Sequence, residues 1–300
     1  MRIVSLISAG TEMLYALGLG EHVVAVSHEC DWPLECRRLP RVTRSNIDSA
    51  GDSSAIDRQV RELMQAGKPL YQIDAAQIAD LRPDLIVTQV QCDVCAVAYD
   101  DVMSAVNSQQ ALHKTQVISL NPQSLSDVFN EMLQIGAAAG VAQSAATVVD
   151  GLHERIERIR AAIATLSNSE RPRVAIIEWT DPLMLAGNWV PELVELAGGR
   201  CELAPPGQHS RVHTWEELTE FDPEVIVVCP CGFDLLRSEA ELKRLAKQPE
   251  WNDLSAVKSG RVHAVDGNAY FNRPGPRLVE SVELLVRLLH PNKCAFDNRR

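Results

Sequence analysis

The sequence predicts an α/β protein built as two α/β lobes bridged by one long α-helix. Three observations carry that expectation. Short β-branched runs alternate with helical patterns along the chain, as strands and helices do in this class. A proline-centred segment occurs twice: Ile78-Ala79-Asp80-Leu81-Arg82-Pro83-Asp84-Leu85-Ile86-Val87 aligns with Leu218-Thr219-Glu220-Phe221-Asp222-Pro223-Glu224-Val225-Ile226-Val227, each a helix end, a proline turn and a buried strand. Finally, Val141–Leu166 contains no proline and one glycine, Gly151, with apolar residues recurring at steps of three and four. A helix over that stretch would span roughly 39 Å, too long for a crossover inside one small sheet. It reads either as a surface helix or as a rigid connector, and the repeat on its two sides supports the connector. Lobes are expected over 1–140 and 167–291, with the connecting helix over 141–166 and a disordered tail over 292–300.

The elements follow in order. Ile3–Ile7 is a first strand, and a helix over Thr11–Leu17 stops at Gly18, the usual residue for a helix end. Val23–Ser27 is a second strand. Ser53–Ala66 places Ile56, Val60, Leu63 and Met64 on one face of a helix. Leu85–Thr88 and Gln116–Ser119 are strands, and Ser124–Ala139 is a helix with a Ser start and Gly140 behind it. Beyond the long helix, Ser167-Asn168-Ser169-Glu170-Arg171-Pro172 is a break. Val174–Glu178, Val225–Cys229 and Arg261–Val265 are the strands of the second half.

Composition narrows the function. Apolar residues make up 46% of the 300 positions and charged residues 23%, enough to build a core. The net charge of −11 excludes a basic footprint, which argues against nucleic-acid or anionic-membrane binding. No apolar run reaches the roughly 20 residues needed to span a bilayer. Arg2 is followed at once by Ile3-Val4-Ser5-Leu6-Ile7, too short a run for a secretory signal. The chain as written is expected to be cytoplasmic, or periplasmic if a signal peptide has been removed.

The eight cysteines are too sparse for a disulfide scaffold, and four fall in close pairs. Cys92-Asp93-Val94-Cys95 follows one strand, and Cys229-Pro230-Cys231 follows its counterpart in the repeat. Ligands of open α/β sheets sit outside the carboxyl ends of the strands, so both pairs are expected near one cleft. Thiolates there suit zinc, iron or redox chemistry; buried core thiols are the alternative. His28-Glu29-Cys30-Asp31 adds an imidazole and a further thiol on another strand-end loop, with His28 either a metal ligand or a hydrogen-bonded loop histidine. No phosphate-binding glycine loop, nucleophile elbow or catalytic triad signature is present, so an enzyme is not expected.

Taken together, the segments resemble the cobalamin and ferric-siderophore substrate-binding proteins of ABC importers, the helical-backbone class of periplasmic binding proteins, with the vitamin B12-binding branch nearest. The matching pieces run from Arg2 to Leu289: Arg2–Leu6 with Thr11-Glu12, Val24–Ser27 with Asp31-Trp32-Pro33, Arg82–Val87, Leu193–Gly199 and Tyr270–Arg277. That resemblance implies the helical-backbone substrate-binding protein fold, with a flat metal chelate held between two lobes. By it, Trp32 and Pro33 would wall the ligand on the first lobe, and Trp179, Trp189, Tyr270 and Phe271 on the second. Arg211 and Arg273 would pair with polar or anionic groups of the ligand, while Arg277 holds its loop to the sheet. Apart from the resemblance, residue type and loop position make His28, Cys30, Cys92, Cys95, Cys229 and Cys231 candidate metal donors, and cysteines in these loops depart from the family's aromatic and polar groups. The expected function is a non-catalytic binding protein for a corrinoid of the cobalamin type, with an ABC permease as partner if exported. The alternative is a cytosolic metal-handling or redox protein that binds zinc or iron through the cysteines.

Overall fold

The computed structural model describes residues 1–90, 94 and 96–291. Its residues gather into two compact units. The first comprises Met1–Gly51, Ala55–Pro122 and Ser126–Asp150; the second comprises Asp52–Ser54, Gln123–Leu125 and the chain from Gly151 on.

In the first unit the strands are β1 (Ile3–Ser5), β2 (Val23–Val26), β3 (Thr43–Ser45), β4 (Tyr71–Ile73), β5 (Leu85–Gln89) and β6 (Gln116–Leu120). Four of them form a parallel sheet in the order β2-β1-β5-β6, and β3 pairs with β4 antiparallel beside it. The helices are α1 (Ser8–Ala16), α2 (Ser53–Gln65), α3 (Ala75–Leu81), α4 (Tyr99–Ser108) and α5 (Leu125–Ala138). Strand residues Val4, Ala25 and Ile86 are fully buried against Ile78, Val102 and Leu112 of the covering segments. Each such aliphatic side chain contributes about 1.5–3 kcal/mol on leaving water. Helix α1 begins three residues earlier than the sequence indicated. Gly10 is what allows it: a Cβ there would lie 2.8 Å from Val87 Cγ1, so only glycine lets the first turn lie this close to β5.

Helix α6 (Ala142–Ile163) carries the chain from the first unit into the second. Its 22 residues give a length of about 33 Å. It is shorter at both ends than the expected 141–166. Gly140, at φ 75°, breaks it from α5, and the chain after Ile163 turns into a Ser167–Glu170 capping box.

The second unit holds β7 (Val174–Thr180), β8 (Leu183–Leu185), β9 (Arg211–Val212), β10 (Val225–Val228) and β11 (Val262–Ala264) in one sheet, ordered β11-β10-β7-β8-β9. The β11, β10 and β7 strands are parallel, while β8 and β9 add an antiparallel edge. Its helices are α7 (Val190–Leu196), α8 (Trp215–Phe221), α9 (Leu235–Leu245), α10 (Ser255–Lys258) and α11 (Leu278–Leu289). Among the described residues no helix is long and apolar enough to cross a membrane.

The repeated segment is realised twice in the same way. Helices α3 and α8 both end on a non-glycine residue in the left-handed region, Arg82 at φ 44° and Asp222 at φ 45°. Each is followed by proline and then by a fully buried strand, β5 or β10.

Candidate functional site

In each unit the parallel strands deliver their carboxyl ends to one edge of the sheet, and the loops leaving that edge carry most of the expected residues. In the first unit, β2 runs into Ser27-His28-Glu29-Cys30-Asp31-Trp32-Pro33. Trp32 is 43% exposed, a large apolar surface left in water, and Pro33 beside it is half-buried. The loop is anchored from below. Arg41 Nη1 donates to the carbonyls of Ser27 (2.7 Å) and Cys30 (2.5 Å), and Ser8 Oγ donates to the Glu29 carbonyl at 3.0 Å. A shallow concavity opens among Leu6, Ser8, His28, Glu29, Ala96 and Val97.

His28 is fixed by its surroundings. Thr43 Oγ1 accepts the His28 backbone N–H at 2.9 Å and lies 2.7 Å from Nδ1. Nε2 lies 3.3 Å from Glu29 Oε1 and is buried without a hydrogen-bond partner among the described residues. Tyr71 packs against the ring with centroids 5.3 Å apart. Burial pushes the imidazole pKa down, Glu29 opposes that shift and Arg41 adds to it.

In the second unit, Trp179 closes β7 and is half-buried, with its ring edge-on to Phe233 at 5.5 Å and 67°. Phe233 lies in the loop after β10, and the Arg237 guanidinium stacks 3.6 Å above its ring centroid. Asp234 caps α9 by accepting the Arg237 backbone N–H at 2.9 Å. Leu235 and Leu236 of the same first turn are 45% and 75% exposed. Neither Phe233 nor Arg237 stood out in the sequence. The signal that marks them is an aspartate cap with an arginine three residues on, six residues after a strand ends.

The loop after β11 carries Tyr270, Phe271 and Arg273. Tyr270 and Arg273 are half-buried, and Arg273 Nη2 donates to Asn268 Oδ1. Asn268 N–H in turn donates to the Phe233 carbonyl at 3.0 Å, tying the two loops together. Two expected ligand walls are interior instead. Phe271 is 0% exposed and Trp189 only 5%. Trp189 Nε1 donates to the Phe271 carbonyl at 2.6 Å, and the Phe271 N–H donates to Ser281 Oγ at 3.2 Å. Phe271 holds φ at 68°, a costly conformation for a bulky residue, and these two bonds fix it there. Both aromatics therefore support the loop from within, because the indole N–H and the Phe271 carbonyl satisfy each other out of water. Arg211 is exposed on the antiparallel edge, where Glu217 Oε1 lies 3.0 Å away.

The expected metal donors divide in the same way. Cys30 is fully buried, and its sulfur accepts from Thr11 Oγ1 at 3.1 Å and lies 3.2 Å from Ser27 Oγ. Cys229 is also fully buried. Burial pushes both thiols up in pKa, with Glu178 adding to the shift at Cys229, so each stays protonated and acts as a packed core thiol. Cys231 is exposed. Cys92 and Cys95 lie outside the described residues. Among the described residues no three His, Cys, Asp or Glu side chains converge to hold a metal ion.

This chain shares its sequence with known binding proteins along nearly its whole length. The periplasmic binding protein family model matches residues 3–269. An uncharacterised ABC transporter substrate-binding lipoprotein of Bacillus subtilis is 26% identical over 97% of this chain and 80% of its own length. The vitamin B12-binding protein of Vibrio cholerae is 24% identical over 96% of this chain and 88% of its own. A periplasmic heme-binding protein from Pseudomonas aeruginosa superposes with a TM-score of 0.73 at 21% identity, covering 98% of this chain and 94% of that one. These relatives give no support to a cytoplasmic placement, one of them being a lipoprotein. The fold, the strand-end loops and the family match over most of the chain make this a non-catalytic ligand-binding protein, a member of the periplasmic binding protein family.

Proposed function

We propose that the protein is the substrate-binding component of an ABC importer and that its substrate is a flat metal chelate of the corrinoid type. The observation that carries this reading is Trp32, a 43% exposed indole on the loop at the carboxyl end of β2. A planar amphipathic macrocycle is bound by such surfaces with a few placed polar groups around them. Trp179, Tyr270 and Arg273 would take the corresponding roles on the second unit's loops, with Pro33 beside Trp32. The relation to vitamin B12-binding proteins over most of the chain supports a corrinoid.

Of the donors that the sequence offered, Cys30 and Cys229 are buried, Cys231 is exposed, and His28 has Thr43 Oγ1 2.7 Å from Nδ1. Titration of the protein with cyanocobalamin, dicyanocobinamide and hemin, followed by tryptophan fluorescence and calorimetry, tests the proposal. Saturable corrinoid binding with quenching is expected. Binding of hemin alone, or of none of the three, overturns it.

A further inference from the structure

The first turn of α9 carries a cation, Arg237, that no sequence pattern singles out. The Arg237 guanidinium carbon lies 3.6 Å over the Phe233 ring centroid, and Phe233 meets Trp179 edge-on at 5.5 Å. Phe233 itself is buried, so the platform under the guanidinium is rigid. The loop beneath is pinned at both ends. Phe233 N–H donates to the Pro230 carbonyl at 3.0 Å, and the Phe233 carbonyl accepts from Asn268. Asn268 also receives the hydrogen bond of Arg273, so a second guanidinium is fixed to the same platform. Arg237 stands in the first turn of the helix that follows β10, and Arg273 on the loop that follows β11, both after parallel strands.

From this juxtaposition, and resting on the corrinoid reading above, we propose that Arg237 is a specificity-determining residue that reads an anionic group, carboxylate or phosphodiester, on the rim of the chelate. The cation–π contact holds the guanidinium over the ring, and its planar fork of N–H donors suits bidentate pairing with such an anion. Leu235 and Leu236 beside it, both exposed, offer apolar surface to the macrocycle next to the charge. Arg237 has other interactions within the chain, so an incoming anion takes over from them rather than filling an empty position. A chain with a net charge of −11 repels anions in general, which makes a dedicated cation at the site the more necessary.

The test is calorimetric titration of three corrins with the wild type, Arg237→Gln and Arg237→Lys. Dicyanocobyrinic acid carries rim carboxylates, cyanocobalamin a single phosphodiester and dicyanocobinamide neither. The wild type is expected to bind at least one of the first two about tenfold or more tightly than dicyanocobinamide. Arg237→Gln removes that preference and leaves dicyanocobinamide affinity within about twofold, while Arg237→Lys restores part of it. The ligand that loses affinity identifies the anion. Equal affinity of the wild type for all three, or an equal loss for all three in Arg237→Gln, overturns the assignment. If no corrin binds, the same comparison with hemin and its dimethyl ester decides. A charge preference lost in Arg237→Gln keeps the assignment while the corrinoid reading falls, and its absence there overturns both.

Discussion

At the scale of single residues, burial separates the groups that face a ligand from those that hold the loops. Trp32 is exposed, so replacing it with alanine removes contact surface from the bound state and little from the fold. Trp32→Ala is expected to weaken corrinoid binding about tenfold, ~1.4 kcal/mol by calorimetry, with the urea midpoint unchanged. Trp189 behaves oppositely. Trp189→Phe would strand the buried Phe271 carbonyl and cost about 1–3 kcal/mol in urea unfolding. Residue chemistry also governs pH dependence through Glu131 on α5. The residue is 8% exposed, one carboxyl oxygen accepts the Asn121 N–H at 2.5 Å, and burial pushes its pKa up to about 7. The folded state therefore holds this proton to higher pH than the unfolded chain, and stability falls as pH rises from the ordinary carboxylate range through about 7. Glu131→Gln, which keeps an acceptor for Asn121, is expected to match the wild type near pH 4.5 and exceed it by about 1–3 kcal/mol at pH 8 in denaturant titrations. The sequence showed the cysteines and His28 as donors because residue type and loop position were visible in it. Their burial was not, since it depends on which neighbours the fold brings over them, such as Thr11, 19 positions from Cys30.

At the scale of elements, the patterns that repeat are the ones the sequence displayed. The buried parallel strand β10 is an unbroken apolar run and β5 opens on one, Leu85-Ile86-Val87, and the amphipathic period of α6 is continuous over six turns. The pairing of β3 with β4 was not visible. Each has three residues, too few for a period, and their register Thr43↔Ile73 closes across 30 positions. The short antiparallel strands β8 and β9 escaped notice for the same reason. The turn between α5 and α6 shows how one residue type sets an element contact. A Cβ on Gly136 would lie 2.3 Å from the Ala145 Cβ, so the two helices meet this closely only with glycine in place. Gly136→Ala brings a helix-propensity gain of about 1 kcal/mol, yet is expected to destabilise the protein by about 1–3 kcal/mol through that overlap. Circular-dichroism melting checks it, and a raised melting temperature would show that the helices separate freely.

At the scale of the whole molecule, a binding protein without catalysis does its work through linkage. Whatever ligand binds the folded chain in preference to the unfolded one stabilises it by RT ln(1 + [L]/Kd). For a single site this is about 2.7 kcal/mol at a hundredfold excess over Kd, or roughly 5–10 °C in melting temperature for units of this size. The corrinoid that the chain takes should therefore raise the melting temperature with its logarithmic concentration, and the slope reports one site. In Trp32→Ala the same curve should shift to about tenfold higher ligand while keeping its slope. In Arg237→Gln only the curves for anionic corrins should shift. Scanning calorimetry across a ligand series thus reads the wall and the charge separately in one experiment, because each changes affinity through a different part of the macrocycle. A melting temperature that no corrinoid moves, while hemin does, would reassign the ligand and leave the fold and the family unchanged.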